Sequence, residues 1–455
     1  MPSTGPLVSR RAAAATLATG VVGSLAGCTG LSGVATRSHE PLPDATPAST
    51  DWPFLRYDAR NTGWNDGAEP PTDEPSVRWS RDVGWGFTPL VRDGRVVVGT
   101  YDGIGVYRTD DGGRVWLAGP DPNYREPSLG ARRVYAPGNE GGVRGFDLAT
   151  GEATWTQEHP IGANTDAPTV AGGKLVIDAG NVGVYDATGT RTWSTYCANV
   201  GPIPAVVDGG RTAFVAPFDA VAALDLTAPA REWPWEDPDG EEPPRASRER
   251  AYRWSAGAPE AIARIRHSPT VLDGVGDSGG RRGGHRTVYA LVERIGRATL
   301  RAHAPDTGER RWQFTAGEGE NGGFATPTVT NGERVFFGAD DGVVYAIPAD
   351  GGLPDPDGSS VAPRDEPVPE WSRAFDALPN RLAGAGRTLL VGTYRDGGPT
   401  SLYALDAGSG RARWRVRYDD ELRGLSAAGG TVYATVVTER DADGDIVGTT
   451  LYAYE

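Results

Sequence analysis

Tryptophan returns along this chain at near-even intervals, at Trp79, Trp116, Trp155, Trp193 and Trp233, then at Trp312, Trp371 and Trp414. Each closes a similar phrase, most fully Ala404-Leu-Asp406-Ala-Gly-Ser-Gly410-Arg-Ala-Arg-Trp414 and Gly145-Phe-Asp147-Leu-Ala-Thr-Gly151-Glu-Ala-Thr-Trp155. A spacing of about 38 residues falls within the range of repeat arrays and close to that of four-stranded propeller blades. Within one copy, Pro127 to Pro137 supplies two short strands and a turn, Glu140-Gly-Gly turns into a third strand, and Ala149-Thr-Gly turns into the Trp155 strand. Asp93-Gly94, Asn331-Gly332 and Gly429-Gly430 lie between β-branched or aromatic runs and signal hairpins, because type I′ turns need positive φ at both central residues. Helical periodicity is absent over any comparable stretch. The pattern predicts an all-β chain: an eight-bladed β-propeller of four-stranded antiparallel blades.

Length alone, 455 residues, would suggest about three domains. A closed propeller is one domain whatever its blade count, so the repeats override that expectation. The chain ends on Leu451-Tyr-Ala-Tyr-Glu455, which matches a third strand with no tryptophan strand after it. The missing strand is available at Val77-Arg-Trp79-Ser80, and pairing the two would close the ring and remove exposed edges. The predicted propeller therefore runs over 77–455, with its last blade shared between the two ends.

The phrase Ala-x-Asp-x-x-Thr-Gly-x-x-x-Trp resembles the tryptophan-docking motif of the PQQ-type eight-bladed propellers, which include quinoprotein alcohol dehydrogenases and non-enzymatic BamB-like proteins. The likeness covers Ser76 to Glu455 and drifts in places: the acid moves to Asp306 before Trp312, the turn holding Asp186 is short before Trp193, and Pro229 replaces the glycine before Trp233. It implies that these tryptophans fasten each blade to the adjoining blade's turn. Trp52-Pro-Phe-Leu-Arg-Tyr-Asp58-Ala-Arg-Asn-Thr62-Gly63 is similar to the leader of many archaeal members, which implies that 51–76 packs beside the ring.

Upstream lie segments of a different kind. Arg10-Arg11 precedes a mild apolar run, Ala12 to Ala26, and Leu25-Ala26-Gly27-Cys28 follows. Paired arginines before such a run resemble a twin-arginine export signal, and the tetrapeptide resembles a lipobox. The run is shorter than the roughly 20 apolar residues that cross a bilayer. The expectation is a signal peptide over 1–27, a lipid on Cys28, and a Pro/Thr/Ser/Ala-rich tether over 28–50. This places the protein on the outer face of the cytoplasmic membrane, held through the lipid only. The remaining cysteine, Cys197, cannot form an intramolecular disulfide and reads as a small buried residue.

Acids outnumber bases 60 to 45, and every base but Lys174 is arginine. This composition resembles that of a high-GC halophile, where acidic groups hold water and limit aggregation. A net charge of −15 argues against nucleic acid as the main partner. Glu236 to Arg253, Gly274 to Arg286, Gly352 to Glu370 and Thr438 to Gly448 read as solvated insertions. Within the last, Asp441-Ala-Asp443-Gly-Asp445 hints at a calcium loop, but Ile446 and Tyr452 stand where an EF-hand needs glycine and an acid. A long acidic hairpin is the better reading.

The loops entering each innermost strand share one face around the channel and carry Arg125, Glu126, Asp166, Arg266, His267, Phe324, Arg381 and Arg423. Four arginines and a histidine would focus positive potential for a carboxylate or phosphate ligand, or else pair with Glu126 and Asp166. Two functions follow: a non-catalytic scaffold binding a protein or a small anionic ligand, and a quinoprotein dehydrogenase holding PQQ with calcium. The alcohol dehydrogenases would lead one to expect adjacent cysteines, whereas Cys28 and Cys197 are far apart. No haem-attachment motif, nucleophile elbow or metal-binding histidine spacing is present. The sequence therefore favours a monomeric scaffold with no catalytic residues, metal or cofactor.

Overall fold

The computed structural model describes residues 47–455 except 119–123 (Tyr124 follows), 125, 139–141, 157–166, 179–180, 187, 197–202, 218–219, 229–250, 258–263, 266, 273–285, 295, 318, 320–324, 353–365 and 396–397. The expected signal peptide with Arg10 and Arg11, the Cys28 lipidation site, and Cys197 lie outside the described residues.

Where Asp93 and Gly94 both take positive φ, at 46° and 70°, the chain folds back and Leu90–Arg92 pairs with Arg95–Thr100. Gly103–Arg108 and Arg114–Ala118 complete a meander. This unit recurs around the molecule as blades 1 (90–118), 2 (128–156), 3 (169–196), 4 (205–257), 5 (264–315), 6 (329–374), 7 (378–418) and 8 (422–454 with 77–84). Blades 1 to 7 are each built on an antiparallel sheet of four consecutive strands and blade 8 on three plus 77–84; blade 5 adds a short pairing of Arg264–Ile265, and blade 7 gains a parallel strand from the leader. The second strand of blade 1 is buried along nearly its whole length because neighbouring blades cover both faces, whereas outer strand Tyr252–Gly257 alternates half-buried and exposed. Blade 8 joins the two ends of the chain, with Val77 opposite Tyr454 and Trp79 opposite Ala453.

A tryptophan on each outer strand meets the turn of the next blade. Trp79 donates its indole N–H to the Thr109 carbonyl at 2.8 Å, Trp116 to Leu148 at 2.9 Å, and Trp371 to Ala407 at 3.0 Å. Under the rings sit Gly112, Gly151 and Gly410, at φ of 66°, 75° and 70°; a Cβ on any of them would fall 2.5–2.6 Å from the indole. Glycine is thus required twice, by backbone conformation and by ring contact. Trp155 packs on Gly189 and Trp312 on Gly351 in the same way, and Trp193 is buried between blades 3 and 4. Trp414 meets the blade in which the chain ends, and it donates instead to the Pro71 carbonyl of the leader at 2.8 Å.

In blade 4 the tryptophan seen docking from the outer strand is Trp254. Trp254 lies on the outer strand, donates to the Pro305 carbonyl at 2.6 Å and covers Gly308. Trp233 lies outside the described residues, in the insertion that separates the third strand of the blade from its fourth. The insertion also ends earlier than expected, since Tyr252 and Arg253 already belong to that strand. Similarly, Thr438 to Gly448 is mostly paired strand: the hairpin of blade 8 continues to Arg440 opposite Ile446. Asp441 caps its turn by accepting from the Asp443 and Asp445 amides at 3.0 and 2.9 Å.

The leader packs on the ring along its innermost strands. Backbone hydrogen bonds join Ser49 to Gly429 of blade 8, Trp52 to Val91 of blade 1, Pro53 to Leu129 of blade 2, Ala59 to Val206 of blade 4, Arg60 to Val271 of blade 5, Thr62 to Thr330 of blade 6 and Gly63 to Gly384 of blade 7. Phe54 packs into the core between blades 2 and 3. These contacts follow blade order, so the segment winds around the inner edges of the ring, inside the innermost strands. Asp58 shapes this path by accepting from the Arg60 and Thr62 amides, and Asn61 donates its side-chain N–H groups to the Ile203 and Pro269 carbonyls at 2.9 and 3.1 Å. Arg56 donates to the Thr328 carbonyl, and complete burial pulls its guanidinium down to about 10 against the pull of Asp58. Packing begins before residue 51: Ser49 is already bonded to the ring, so the leader starts inside the expected tether.

Candidate functional site

Every innermost strand runs from the face of the entering loops to the hairpin face, and the leader bonds near the far ends of those strands. Between the leader and blades 2 to 4, a crevice lined by Phe54, Arg56, Asn61, Ser128 and Ile203 has no volume that a water molecule could enter.

Arg125, Asp166, Arg266 and Phe324 lie outside the described residues. Arg381 and Arg423 come together on neighbouring blades 7 and 8, with Arg381 Nε donating to the Arg423 carbonyl at 2.8 Å and a terminal N–H to the Asn380 carbonyl at 2.9 Å. Burial lowers the Arg381 pKa, Glu421 and Glu126 oppose that shift, and Arg423 adds to it. Glu126 belongs to the loop entering blade 2 and accepts from Thr88 at 3.3 Å. These two arginines thus sit among acids rather than as an isolated positive pair. Glu421, absent from the sequence-derived set, lies 3.9 Å from both Arg423 and Arg440.

Aromatic side chains complete this side of the mouth. The segment from blade 8 into blade 1 places Trp85 and Phe87 beside Arg423, whose guanidinium carbon is 5.6 and 5.3 Å from their ring centroids. Tyr101, at the turn between the second and third strands of blade 1, packs on Trp85 at 4.0 Å and on Phe87 at 5.8 Å. Phe87-Thr88-Pro89 occupies the position of an entering loop, which marked the segment, but its aromatic residues carried no charge signal.

His267 stands apart, on blade 5. Its Nε2 lies 2.8 Å from Glu293 Oε1, and the same oxygen accepts the Ala325 amide of blade 6 at 3.0 Å. The carboxylate therefore fixes the imidazole and ties two entering loops together. Glu293 falls on a strand longer than its counterparts, where the repeat pattern gave no reason to expect an acid at the mouth.

A tricarboxylate cofactor with calcium would need oxygen ligands converging beside its anionic groups. Among the described residues no three His, Cys, Asp or Glu side chains come together in that way. Arg381 is already bonded to backbone carbonyls. The described residues of the mouth thus present no such set of oxygen ligands.

Comparison with known proteins places this geometry. Residues 69–179 match the family model described as "Outer membrane protein assembly factor BamB". No curated protein matches the chain. Among solved structures, the quinohemoprotein alcohol dehydrogenase of Comamonas testosteroni is similar at TM-score 0.61 and 14% identity, over 89% of this chain and 80% of that one. BamB of Moraxella catarrhalis is similar at TM-score 0.54 and 18% identity, over 84% and 97%. A europium-containing methanol dehydrogenase is similar at TM-score 0.61 and 12% identity, over 90% and 98%. Such identities establish the fold alone. The chain is an eight-bladed β-propeller, and its residues 69–179, which take in the closing strand, the first two blades and the start of the third, match the BamB family model.

Proposed function

We propose that this chain is a non-catalytic binding scaffold held on the outer face of the cytoplasmic membrane by a lipid on Cys28, in a halophilic archaeon. The observation that carries the reading is the cluster of Arg381, Arg423, Trp85 and Phe87, which blades 7, 8 and 1 bring together where their entering loops meet. A surface of arginine and aromatic residues drawn from several blades suits recognition of a partner. Lipid attachment rests on the order of Arg10, Arg11 and Leu25-Ala26-Gly27-Cys28.

Cross-linking in intact cells is expected to capture a specific partner, and Arg423→Glu or Arg266→Glu to abolish that capture. Undiminished capture by both variants would remove the mouth from the interface. Cys28→Ser is expected to release the protein to the medium; retention in the membrane fraction would refute the lipid anchor. The quinoprotein reading shares the fold likeness to the dehydrogenases. Anaerobic titration with PQQ and calcium is expected to give neither a new absorbance band nor dye-linked alcohol oxidation, and saturable binding with turnover would overturn the scaffold.

A further inference from the structure

We propose that Arg423 forms the centre of a carboxylate-binding subsite at the mouth, completed by Trp85 and Phe87; this rests on the reading of the mouth as a binding surface. The Trp85 and Phe87 rings hold the Arg423 guanidinium at 5.6 and 5.3 Å, while Glu421 pairs with it only at 3.9 Å, beyond hydrogen-bond distance. Arg423 Nε is buried without a hydrogen-bond partner, and 17% of the side chain remains open to solvent. Other arginines of similar burial are occupied: Arg413 reaches Asp406 at 2.7 Å, Arg334 reaches Glu370 at 2.6 Å, and Arg381 is bonded to two carbonyls.

A second donor of the same cluster, the Trp85 indole N–H, is likewise buried without a partner. Native proteins rarely leave such atoms unpaired, so two unpaired donors in one cluster mark an arrangement that an acceptor ligand would complete. A guanidinium edge presents parallel N–H groups that match the two oxygens of a carboxylate, and the indole adds another donor. Phe87 and Tyr101 offer an apolar wall to the body of the ligand. Glu421 and Glu126, which act electrostatically on Arg381, disfavour a second negative charge and hence a phosphate dianion. The group recognised is a single carboxylate on an apolar body, either a small organic acid or the C-terminus of a peptide.

Isothermal titration of the purified chain would use benzoate, N-acetyl-phenylalanyl-phenylalanine as free acid and as amide, and inorganic phosphate. We expect a free acid to bind saturably, and binding to be at least about tenfold weaker for the amide, for phosphate and in Arg423→Gln at unchanged thermal midpoint. Preference for benzoate assigns a small acid, and preference for the peptide assigns a chain terminus. Trp85→Phe, which keeps the ring under the guanidinium and removes the N–H, is expected to weaken binding several-fold and serves if Arg423→Gln does not fold. Equal binding by wild type and both variants, phosphate binding as tight as carboxylate, or no binding of either acid would overturn the subsite. If no acid binds while Arg423→Glu still abolishes partner capture, the scaffold reading stands and only the subsite fails.

Discussion

At the scale of single residues, the fold depends on glycines that lie under tryptophans. Gly410 has φ of 70° and its Cβ would meet Trp371 at 2.6 Å, whereas Gly444 has φ of 89° and open space around it. Alanine at Gly444 should lose only backbone strain, about 1 kcal/mol, while alanine at Gly410 adds overpacking and should lose about 3 kcal/mol in denaturant unfolding. Equal losses would mean that the indole contact is not the constraint. His303 makes a second residue-level case. It stacks on Trp254 and its Nδ1–H donates to the Gly308 carbonyl at 2.9 Å; burial lowers its pKa, the carbonyl resists, and Arg301 and Arg310 lower it further. The unfolded chain takes up this proton near 6.5 and the native protein only at lower pH, so stability is complete above 6.5 and falls as pH drops below it. The thermal midpoint should therefore decline less between pH 7 and 5 in His303→Gln than in wild type, a window set by the ordinary histidine value. An identical decline would contradict the buried neutral imidazole.

At the scale of elements, the leader and the blades are held by different devices. A blade strand pairs with its neighbours, but the leader relies on side-chain amides that bridge several carbonyls. Asn65 shares its N–H groups among the Ser49, Asp51 and Ala427 carbonyls at 2.9, 3.1 and 3.1 Å while its oxygen accepts from Tyr57 at 3.2 Å. Asn65→Leu, which strands these carbonyls in a buried site, should cost about 2 to 3 kcal/mol in thermal unfolding, and a neutral outcome would show that the leader does not brace the ring. These elements were not equally legible. Turn dipeptides and the tryptophan phrase exposed the blades because each repeat carries its own copy of the signal. Trp254 escaped because the 229–250 insertion breaks the phrase between glycine and tryptophan, leaving Trp233 as the nearer indole; Arg253-Trp254-Ser255, which echoes Arg78-Trp79-Ser80, was the available clue. The path of the leader left no periodic trace, since its contacts are single bonds to many separate strands.

At the scale of the whole molecule, the ring is closed twice. The outer strand of blade 8 pairs with the chain end, and the leader joins the innermost strands from within. The first closure could be read from the sequence because strand number and phrase count had to agree. At the mouth, the charged positions could be located from the repeat, but Glu421, Trp85, Tyr101 and Glu293 could not, because their place depends on neighbouring blades meeting in space. The proposed scaffold reading sends the functional question to one face, the loops around Arg423. Hydrogen exchange of the native chain, read on peptides covering residues 47–69, tests this most directly. Because leader amides such as Trp52 N bond to the ring at 2.7 Å, these peptides should be protected to the same degree as the innermost strands and lose protection only with global unfolding. Exchange at free-peptide rates while the blades stay protected would place the leader off the innermost strands and contradict the account.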